Sequence, residues 1–535
     1  MAEAQVHRAP AVGWQTLLYW LVPPLLCLFV YWRGLSSWFL MDDYVWLGIR
    51  RRIYDWPSFF AEIFHPTEHG TFRPLSERGF FLVFYSLFEL NAFPYRVCVF
   101  LTYFADLALL ASILRRITGS RIPGFCAALF WVANPAMMTV MTWNSAYMQI
   151  LCGFCILVAL HFLLLYVETG RSRYYVWQVV VFVTGFGVME TNLVYPFLAA
   201  GYTWLYARKY FRRTLPLFAI ALAYLIFHFV IAPKQRQGAY SMHMDLSILT
   251  TFWTYWKWAV MPLQAGDVWR WMPSWGGTAG VTLFTLALGA FLVWETWRRR
   301  LLAGFLFGWF VLLIGPVLPL AEHRLYYLLT LPLMGLSAFA GYAVYRGWQS
   351  GGAWRAAAVV LAALQVIISI PVARRETALR TELTLKAKNM VMAVGRAVKG
   401  QPDRVVLLTG VESDFFWWAI YDRPFPLVGA KYVYLAPGTQ SAIRQMQGEE
   451  LEKYALTAIP TGAEWDRIVV LAVDRGMRDI TAEWKAASRG KWSGPSRRVD
   501  VSNPLVQSQL GDGWFALDGA SRWMGKRASL RLGGP

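Results

Sequence analysis

Long apolar runs separated by short basic segments dominate the first 370 residues of the chain. Each run holds about twenty residues, which is enough for a helix to cross a hydrocarbon core of about 30 Å. Eleven runs are found, at about 14–32, 96–114, 122–140, 145–167, 174–189, 191–207, 214–232, 278–296, 301–318, 325–345 and 354–371. The pattern predicts an α-helical polytopic membrane protein with about eleven transmembrane helices.

The composition supports this interpretation over a large soluble helical core. Hydrophobic residues make up 57% of the 535 residues and charged residues only 16%, whereas a soluble domain carries about 25% charged residues. A soluble core would also not need so many runs of spanning length. The run from Trp14 to Trp32 is too long for a cleavable signal and lacks a small-residue cleavage site, so we interpret it as the first span.

Basic residues between the runs predict the orientation. The net charge is +19, but the basic residues form short clusters between spans, where topology explains them better than nucleic-acid binding. With a cytoplasmic N-terminus, every cluster falls on the inner side. The clusters contain Arg115, Arg116 and Arg121; Arg171 and Arg173; Arg208, Lys209, Arg212 and Arg213; Arg298, Arg299 and Arg300; and Arg346 and Arg355. An odd number of spans then places the C-terminal region outside, in the periplasm or exterior.

The composition changes after Pro371. An amphipathic stretch at 374–398 precedes two β-type runs, at 404–409 and 466–473, and helical sequence lies between them. This order predicts a small α/β extracytoplasmic domain. We therefore divide the chain into a membrane domain at 1–372 and a soluble domain at 373–535, with β-hairpins expected in the tail at 513–532.

Two long outer loops, at 33–95 and 233–277, are rich in aromatic residues, which favour the membrane–water interface. Within them, the stretches at 79–90 and 250–260 are too short to span. We predict that each forms a helix lying in the interface.

The first outer loop carries the first candidate site residues. Asp42 and Asp43 directly follow the first span, and adjacent carboxylates repel each other unless a cation, a proton or a donor uses them. Arg73, held by the following proline, suits bidentate contact with phosphate or carboxylate oxygens. A metal site at His65, Glu68 and His69 is an alternative, but the proline between the ligands fits no established metal-binding spacing.

Two further groups of ionisable residues lie at the outer ends of predicted spans. Glu190 separates two apolar runs, and Glu322, His323 and Arg324 precede the tenth span. Ionisable groups at such depth are costly and are usually functional. A structural ion pair between Glu322 and Arg324 is the alternative, and Asp106, within the second span, is either paired or structural.

All these candidates except Asp106 fall on the outer face, under an orientation derived only from basic residues. Acids and bases that converge on one membrane face indicate an outward-facing active site. A solute or proton pathway would instead distribute charges through the membrane depth, which only Asp106 does.

The ordered set of motifs resembles that of the GT-C-fold glycosyltransferases, in particular TMTC-type and PMT-like O-mannosyltransferases and their bacterial relatives. The matching residues are Asp42-Asp43, Phe72-Arg73-Pro74-Leu75, Asn134-Pro135, Trp143-Asn144, Glu190 and Glu322-His323-Arg324-Leu325-Tyr326. The resemblance covers residues 40–330, and the tetratricopeptide repeats usual in TMTC proteins are absent. Relatives often have Lys-Glu where this chain has Met189-Glu190, so a basic contact to the donor is missing or comes from elsewhere.

The resemblance implies an inverting transfer of a sugar from a polyprenyl-phosphate donor to a protein or glycan acceptor at the outer face of a bacterial inner membrane. Asp42 or Asp43 would be the catalytic base, with Asp42 at the family's catalytic position. Arg73, His323 and Arg324 would bind the donor phosphate, supported by Glu190 and Glu322. Whether the reaction uses a divalent cation such as Mg or Mn is left open by the resemblance. The alternatives are a flippase or transporter of lipid-linked glycans, which would show inverted repeats, and a membrane-anchored glycan-binding protein.

Overall fold

The computed structural model describes residues 13–64, 66, 71–231, 241–262, 264–444, 451–454, 465–473 and 476–488. Its helices are, in chain order, α1 (Trp14–Tyr31), α2 (Asp43–Gly48), α3 (Trp56–Phe64), α4 (Phe80–Phe88), α5 (Ala92–Thr118), α6 (Arg121–Ala133), α7 (Met137–Val140), α8 (Tyr147–Thr169), α9 (Ser172–Gly185), α10 (Tyr195–Tyr206), α11 (Leu215–Ile231), α12 (Ser247–Val260), α13 (Ala265–Val268), α14 (Gly276–Trp297), α15 (Leu301–Ile314), α16 (Pro332–Ser350), α17 (Gly352–Val398) and α18 (Ser413–Ala419). A short helix, Thr481–Ser488, follows the last strand.

Each of the eleven predicted apolar runs contains an α-helix, although the run at 122–140 is divided between α6 and α7. A bilayer offers no hydrogen-bond partners, so a spanning segment must satisfy its own backbone groups, and helices do this within one segment. Among the described residues, six helices are long and apolar enough to cross a membrane, and two shorter apolar helices accompany them. The polytopic helical membrane protein is confirmed, while the number of eleven spans stays a prediction.

Glycines allow close packing between the spanning helices. A Cβ atom at Gly341 of α16 would collide with the main chain of Pro123 and Ala127 in α6, and one at Gly335 would collide with the main chain of Phe310 in α15. Small residues at such contacts are typical of membrane helices, because close van der Waals packing replaces the hydrophobic driving force that water provides elsewhere. We infer that α16 is held tightly between α6 and α15.

Two of the basic segments lie together at one end of the helix bundle. Arg116 pairs with Glu168 at 2.6 Å, which joins the last turns of α5 and α8. Arg346 pairs with buried Glu295 at 3.1 Å, which joins the last turns of α14 and α16. Because the second half of α16 packs against the beginning of α6, these contacts belong to the same side. Two of the five basic segments therefore lie on the same side of the bundle, and their location on one membrane face stays a prediction.

Helix α17 is longer than the sequence suggested. It runs from Gly352 to Val398 without a break and contains Pro371, where we placed the end of a span and a change of domain. Its second half packs on the first outer loop. The Ser37 and Thr381 hydroxyls lie 3.0 Å apart, and the backbone N–H of Trp38 donates to Thr384 Oγ1 at 3.0 Å. The segment just before Asp42 is thereby anchored to α17.

The C-terminal region contains a four-stranded sheet. The strands are β1 (Val405–Thr409), β2 (Tyr432–Leu435), β3 (Ile468–Ala472) and β4 (Arg478–Asp479), in the order β2-β1-β3-β4. The first three are parallel and β4 is antiparallel to β3, with α18 between β1 and β2. The predicted small α/β domain is confirmed. The predicted tail hairpins lie outside the described residues.

The two short outer segments, predicted to be too short to span, are also helical. They form α4 and α12, and their position in the membrane interface stays a prediction.

Candidate active site

The acidic pair lies where α2 begins. Asp42 occupies the position before the helix, and Asp43 is its first residue. The preceding Met41 has a φ of 53°, a left-handed conformation that a non-glycine residue adopts only when its surroundings impose it. Its N–H donates to the carbonyl oxygen of Trp418 at 3.0 Å. The backbone at the acidic pair is therefore fixed by a contact from the C-terminal region.

Asp43 is fully buried and surrounded by donors. One carboxylate oxygen accepts from the Ser145 N–H at 2.8 Å and the Ser145 hydroxyl at 2.6 Å. The other accepts from the Leu40 N–H at 3.2 Å and the Asn144 amide at 3.4 Å. Burial raises the pKa of Asp43 to about 6, although the hydrogen bonds from Ser145 and Leu40 act in the opposite direction. Its hydrogen bonds join the first outer loop to the turn after α7, which is a structural task.

Asp42 differs from its neighbour. Its side chain is buried, 7% exposed, yet its Oδ1 atom has no hydrogen-bond partner among the described residues. Burial raises the pKa of the Asp42 carboxyl well above its ordinary range, and the Asp43 and Asp422 carboxylates raise it further. A buried acceptor without a partner is costly unless a ligand completes it. Of the two predicted catalytic acids, Asp42 is the one with a carboxyl oxygen that has no hydrogen-bond partner among the described residues.

Arg73 lies between two carboxylates from different parts of the chain. Its Nε donates to Glu190 at 2.9 Å, and its Nη1 donates to Glu77 at 2.7 Å. The Phe72 N–H also donates to Glu190, at 3.2 Å. The structure thus brings together two predicted site residues that are 117 positions apart, and it assigns to Glu190 the role of holding the Arg73 guanidinium.

Glu77 is a site residue that the sequence interpretation missed. It is 6% exposed, and its Oε2 has no partner among the described residues. Burial raises the pKa of the Glu77 carboxyl, and Arg73 opposes this shift. Its position four residues after Arg73, on the same side of a helical turn, is the signal that could have identified it.

Tyr327 connects the acidic pair with the arginine group. The charges of Arg73, Asp42 and Glu77 lie near enough to the Tyr327 phenol to affect its pKa, and its ring stacks edge-on against Trp143 with centroids 5.5 Å apart. Trp143 belongs to the predicted Trp143-Asn144 motif, and its indole N–H is buried without a partner among the described residues. Residues from the first loop, the turn after α7 and the segment before α16 therefore meet in one site.

The remaining predicted residues, from the loop after α15, have different environments. His323 is buried, Arg324 is half-buried and Glu322 is exposed. The Arg324 Nη1 donates to the Thr254 hydroxyl at 3.5 Å. The ion pair between Glu322 and Arg324 that we weighed as an alternative is not formed among the described contacts. Tyr255 lies beside this segment, because its hydroxyl accepts from the Leu325 N–H at 3.2 Å.

A second guanidinium near the acidic pair comes from α17. Arg380 is 7% exposed, and its Cζ lies 4.2 Å from the ring centroid of Trp418 and 6.0 Å from that of Trp143. It also interacts electrostatically with Asp43. The sequence interpretation did not single out this residue.

A metal site finds no support among the described residues, where no group of three or more His, Cys, Asp or Glu side chains lies close enough to hold an ion. The alternative at His65, Glu68 and His69 falls outside the described part of the chain. Asp106 is fully buried in α5, and neither of its carboxyl oxygens has a hydrogen-bond partner in the described structure.

An apolar cavity of about 330 Å³ lies between α14, α16 and α17. Phe284, Phe291, Leu336 and Leu361 are among its lining residues, and Asn134 and Ala259 lie at its wall as well. Asn134 donates to the Ala259 carbonyl at 2.9 Å and belongs to the predicted Asn134-Pro135 motif.

Comparisons with known proteins give a family match over part of the chain. A family model described as dolichyl-phosphate-mannose-protein mannosyltransferase matches residues 79–235, so the predicted resemblance to PMT-like enzymes is confirmed there. This segment contains Glu190, Trp143 and Asn144. Asp42, Asp43, Arg73 and the loop after α15 lie outside it. No curated protein matches the chain.

Two crystal structures of ArnT from Cupriavidus metallidurans are similar to this chain. The form bound to undecaprenyl phosphate is 15% identical, with a TM-score of 0.42, over 87% of this chain and 90% of that one. The apo form is 14% identical, with a TM-score of 0.44, over 90% of this chain and 95% of that one.

Proposed function

We propose that this protein is an inverting GT-C-type glycosyltransferase that moves a sugar from a polyprenyl-phosphate donor to an acceptor at the outer face of the membrane. The observation that carries the proposal is Asp42, a buried carboxyl whose Oδ1 atom has no hydrogen-bond partner in the described part of the chain and which lies near Arg73 and Tyr327. The PMT-like family match over residues 79–235 supports the reaction class.

In this mechanism, the ionised Asp42 carboxylate accepts the proton of an acceptor hydroxyl. The acceptor oxygen forms a bond to the anomeric carbon while the bond from that carbon to the phosphate oxygen breaks. The bonding electrons leave with the lipid phosphate. Arg73, His323 and Arg324 stabilise the charge that grows on this phosphate, and Glu190 keeps Arg73 oriented. The apolar cavity between α14, α16 and α17 suits part of a polyprenyl chain.

Sugar transfer by purified protein from polyprenyl-phosphate sugars, with Asp42→Asn as the variant, tests this proposal. The amide keeps the shape but cannot accept the proton, so turnover should fall by a factor on the order of 10² or more. Asp403→Asn makes the same change at an exposed acid that pairs with Lys431 and should leave turnover unchanged. Normal turnover in folded Asp42→Asn would contradict the carboxylate mechanism.

The outer location is tested by labelling introduced cysteines with an impermeant reagent. Glu412, exposed in the C-terminal region, and Arg299, between α14 and α15, serve as the two positions. We expect Glu412→Cys to react from outside intact cells and Arg299→Cys to react only after permeabilisation. The opposite pattern would place the proposed site on the cytoplasmic face.

A further inference from the structure

Arg380 stands on the buried face of α17. Buried residues recur along this half of the helix at intervals of three and four, which is the spacing of one helical face. They are Ala373, Thr377, Arg380, Thr384, Ala387, Val391 and Val394. An arginine is almost never fully buried unless it is paired. A guanidinium at a core position of this face therefore requires an explanation.

The contacts of Arg380 leave two of its three side-chain nitrogens without a hydrogen-bond partner in the described structure. Its Nε and Nη2 atoms are buried, and neither has a hydrogen-bond partner among the described residues. The charges of Asp43 and Glu376 affect the Arg380 guanidinium, but none of the ion pairs found among the described residues contains Arg380. The stacking on Trp418 at 4.2 Å is a cation–π contact, and it satisfies no N–H group.

The two unpartnered nitrogens form one edge of the guanidinium. The N–H bonds of Nε and Nη2 point in parallel, which is the arrangement that binds two oxygens of a phosphate or carboxylate. Such an edge, buried without a hydrogen-bond partner in the described structure, costs free energy. Two oxygens of a singly or doubly charged anion would accept from both N–H groups of this edge, whereas a neutral sugar hydroxyl would satisfy only one of the two donors.

The neighbours of Arg380 place this edge close to the proposed chemistry. Trp143, 6.0 Å from the Arg380 Cζ, has a buried indole N–H without a partner in the described structure. Its ring stacks against Tyr327, whose phenol interacts electrostatically with Asp42 and Arg73. Trp143 thus offers a further hydrogen-bond donor and lies between Arg380 and Tyr327.

The charge balance also calls for a second cation. Arg73 already pairs with Glu77 and Glu190, so this group of three carries a net negative charge when both acids are ionised. Asp42 and Asp43 add further acidic groups nearby. A guanidinium that is not paired with a carboxylate in the described structure, such as that of Arg380, therefore favours the entry of a lipid phosphate into this acidic surrounding, in addition to Arg324.

We propose that Arg380, with the Trp143 indole N–H, forms a subsite that binds the phosphate group of the lipid-linked donor beside Asp42. The inference rests on the proposed function for the identity of the lipid. It assigns phosphate binding to a residue of α17, outside the part of the chain that carries the family resemblance.

Binding of undecaprenyl phosphate to the full-length protein in lipid nanodiscs tests the subsite. Arg380→Lys keeps the charge but loses the two-pronged edge, and Arg380→Gln loses both. Undecaprenol serves as the probe without a phosphate, and inorganic phosphate as the probe without a lipid. Arg396→Gln makes the same change at an exposed position of α17 and serves as the control.

We expect both Arg380 variants to bind undecaprenyl phosphate at least about tenfold more weakly, a loss of about 1.4 kcal/mol in binding free energy. Undecaprenol binding and the melting temperature should stay as in the parent, and Arg396→Gln should behave like the parent. Where Arg380→Gln fails to fold, Arg380→Lys gives the measurement.

Unchanged affinity for undecaprenyl phosphate in folded Arg380 variants would overturn the subsite. Equal affinity of the parent for undecaprenol and undecaprenyl phosphate would do the same. If the binding of inorganic phosphate depended on Arg380 while the binding of undecaprenyl phosphate did not, Arg380 would not bind the phosphate of the lipid-linked donor. A parent protein that binds undecaprenyl phosphate through Arg380 yet transfers no sugar would contradict the proposed function and leave the subsite standing.

Discussion

Replacing Arg73 together with its two acidic partners separates structural pairing from catalysis. Arg73 donates to Glu190 at 2.9 Å and to Glu77 at 2.7 Å, and the three side chains are 14%, 19% and 7% exposed. Truncating one member of a buried pair leaves the other charge uncompensated and costs about 3–5 kcal/mol. We discount this range for the partly exposed Glu190 and expect Arg73→Met to destabilise the protein by about 2–4 kcal/mol.

Converting the whole group to neutral residues should restore most of this loss. Replacing a complete buried ionic group by neutral residues of similar volume is often neutral or stabilising. The triple variant Arg73→Met, Glu77→Gln, Glu190→Gln should therefore melt close to the parent. Its sugar transfer should stay at least about tenfold lower than that of the parent, because no cation stabilises the leaving phosphate from this position.

The assay combines melting in lipid nanodiscs with turnover on polyprenyl-phosphate sugars. The double variant Glu77→Gln, Glu190→Gln, which keeps Arg73, is the matched control and should retain more activity than the triple variant. Recovery of both stability and turnover in the triple variant would refute a catalytic role for Arg73 and leave it a structural cation.

Two further predictions concern Asp43 and Arg324. Burial raises the pKa of Asp43 to about 6, so the contribution of this carboxyl to stability is complete below its unfolded pKa of about 3.9 and is lost as the pH rises through 6. Between about pH 4 and 7 the melting temperature of the parent should therefore fall relative to that of Asp43→Asn. Melting temperatures of the two proteins that change in parallel with pH would contradict the raised pKa. Arg324→Lys should lower turnover without lowering the melting temperature, because Arg324 makes no ion pair with Glu322 in the described structure. Glu322→Gln, the exposed control, should change neither quantity. Normal turnover in Arg324→Lys would remove this arginine from the mechanism.

The sequence predicted the helices well because apolar length is a direct physical requirement of the bilayer. Each of the eleven runs contains a helix, since no other local structure satisfies backbone groups there, and the run at 122–140 is the one that divides into two α-helices, α6 and α7. The extension of α17 through Pro371 was not predicted. A proline removes one intrahelical hydrogen bond and usually ends or kinks a helix, and tertiary packing of the following turns on the first outer loop outweighs that local preference.

The candidate site was only partly predictable. Adjacent acids and an arginine before a proline are visible locally, but the pairing of Arg73 with Glu190 depends on the packing of distant segments. Arg380 was hidden because basic residues are common in the amphipathic stretch after Pro371, including Arg374, Arg375 and Lys386. Only the three- and four-residue spacing of its neighbours, Thr377 and Thr384, sets it on the buried face.

The contacts around Asp42 argue that the segment after residue 372 is part of the site. Thr381 and Thr384 of α17 hold the chain at Ser37 and Trp38, and the Trp418 carbonyl accepts from the Met41 N–H. Met41 adopts a conformation that a non-glycine residue keeps only under such constraint. A protein ending near residue 372 would lose all three contacts, and Met41 would relax to an ordinary backbone conformation. The boundary that we placed at 372/373 therefore separates Asp42 from the residues that orient it.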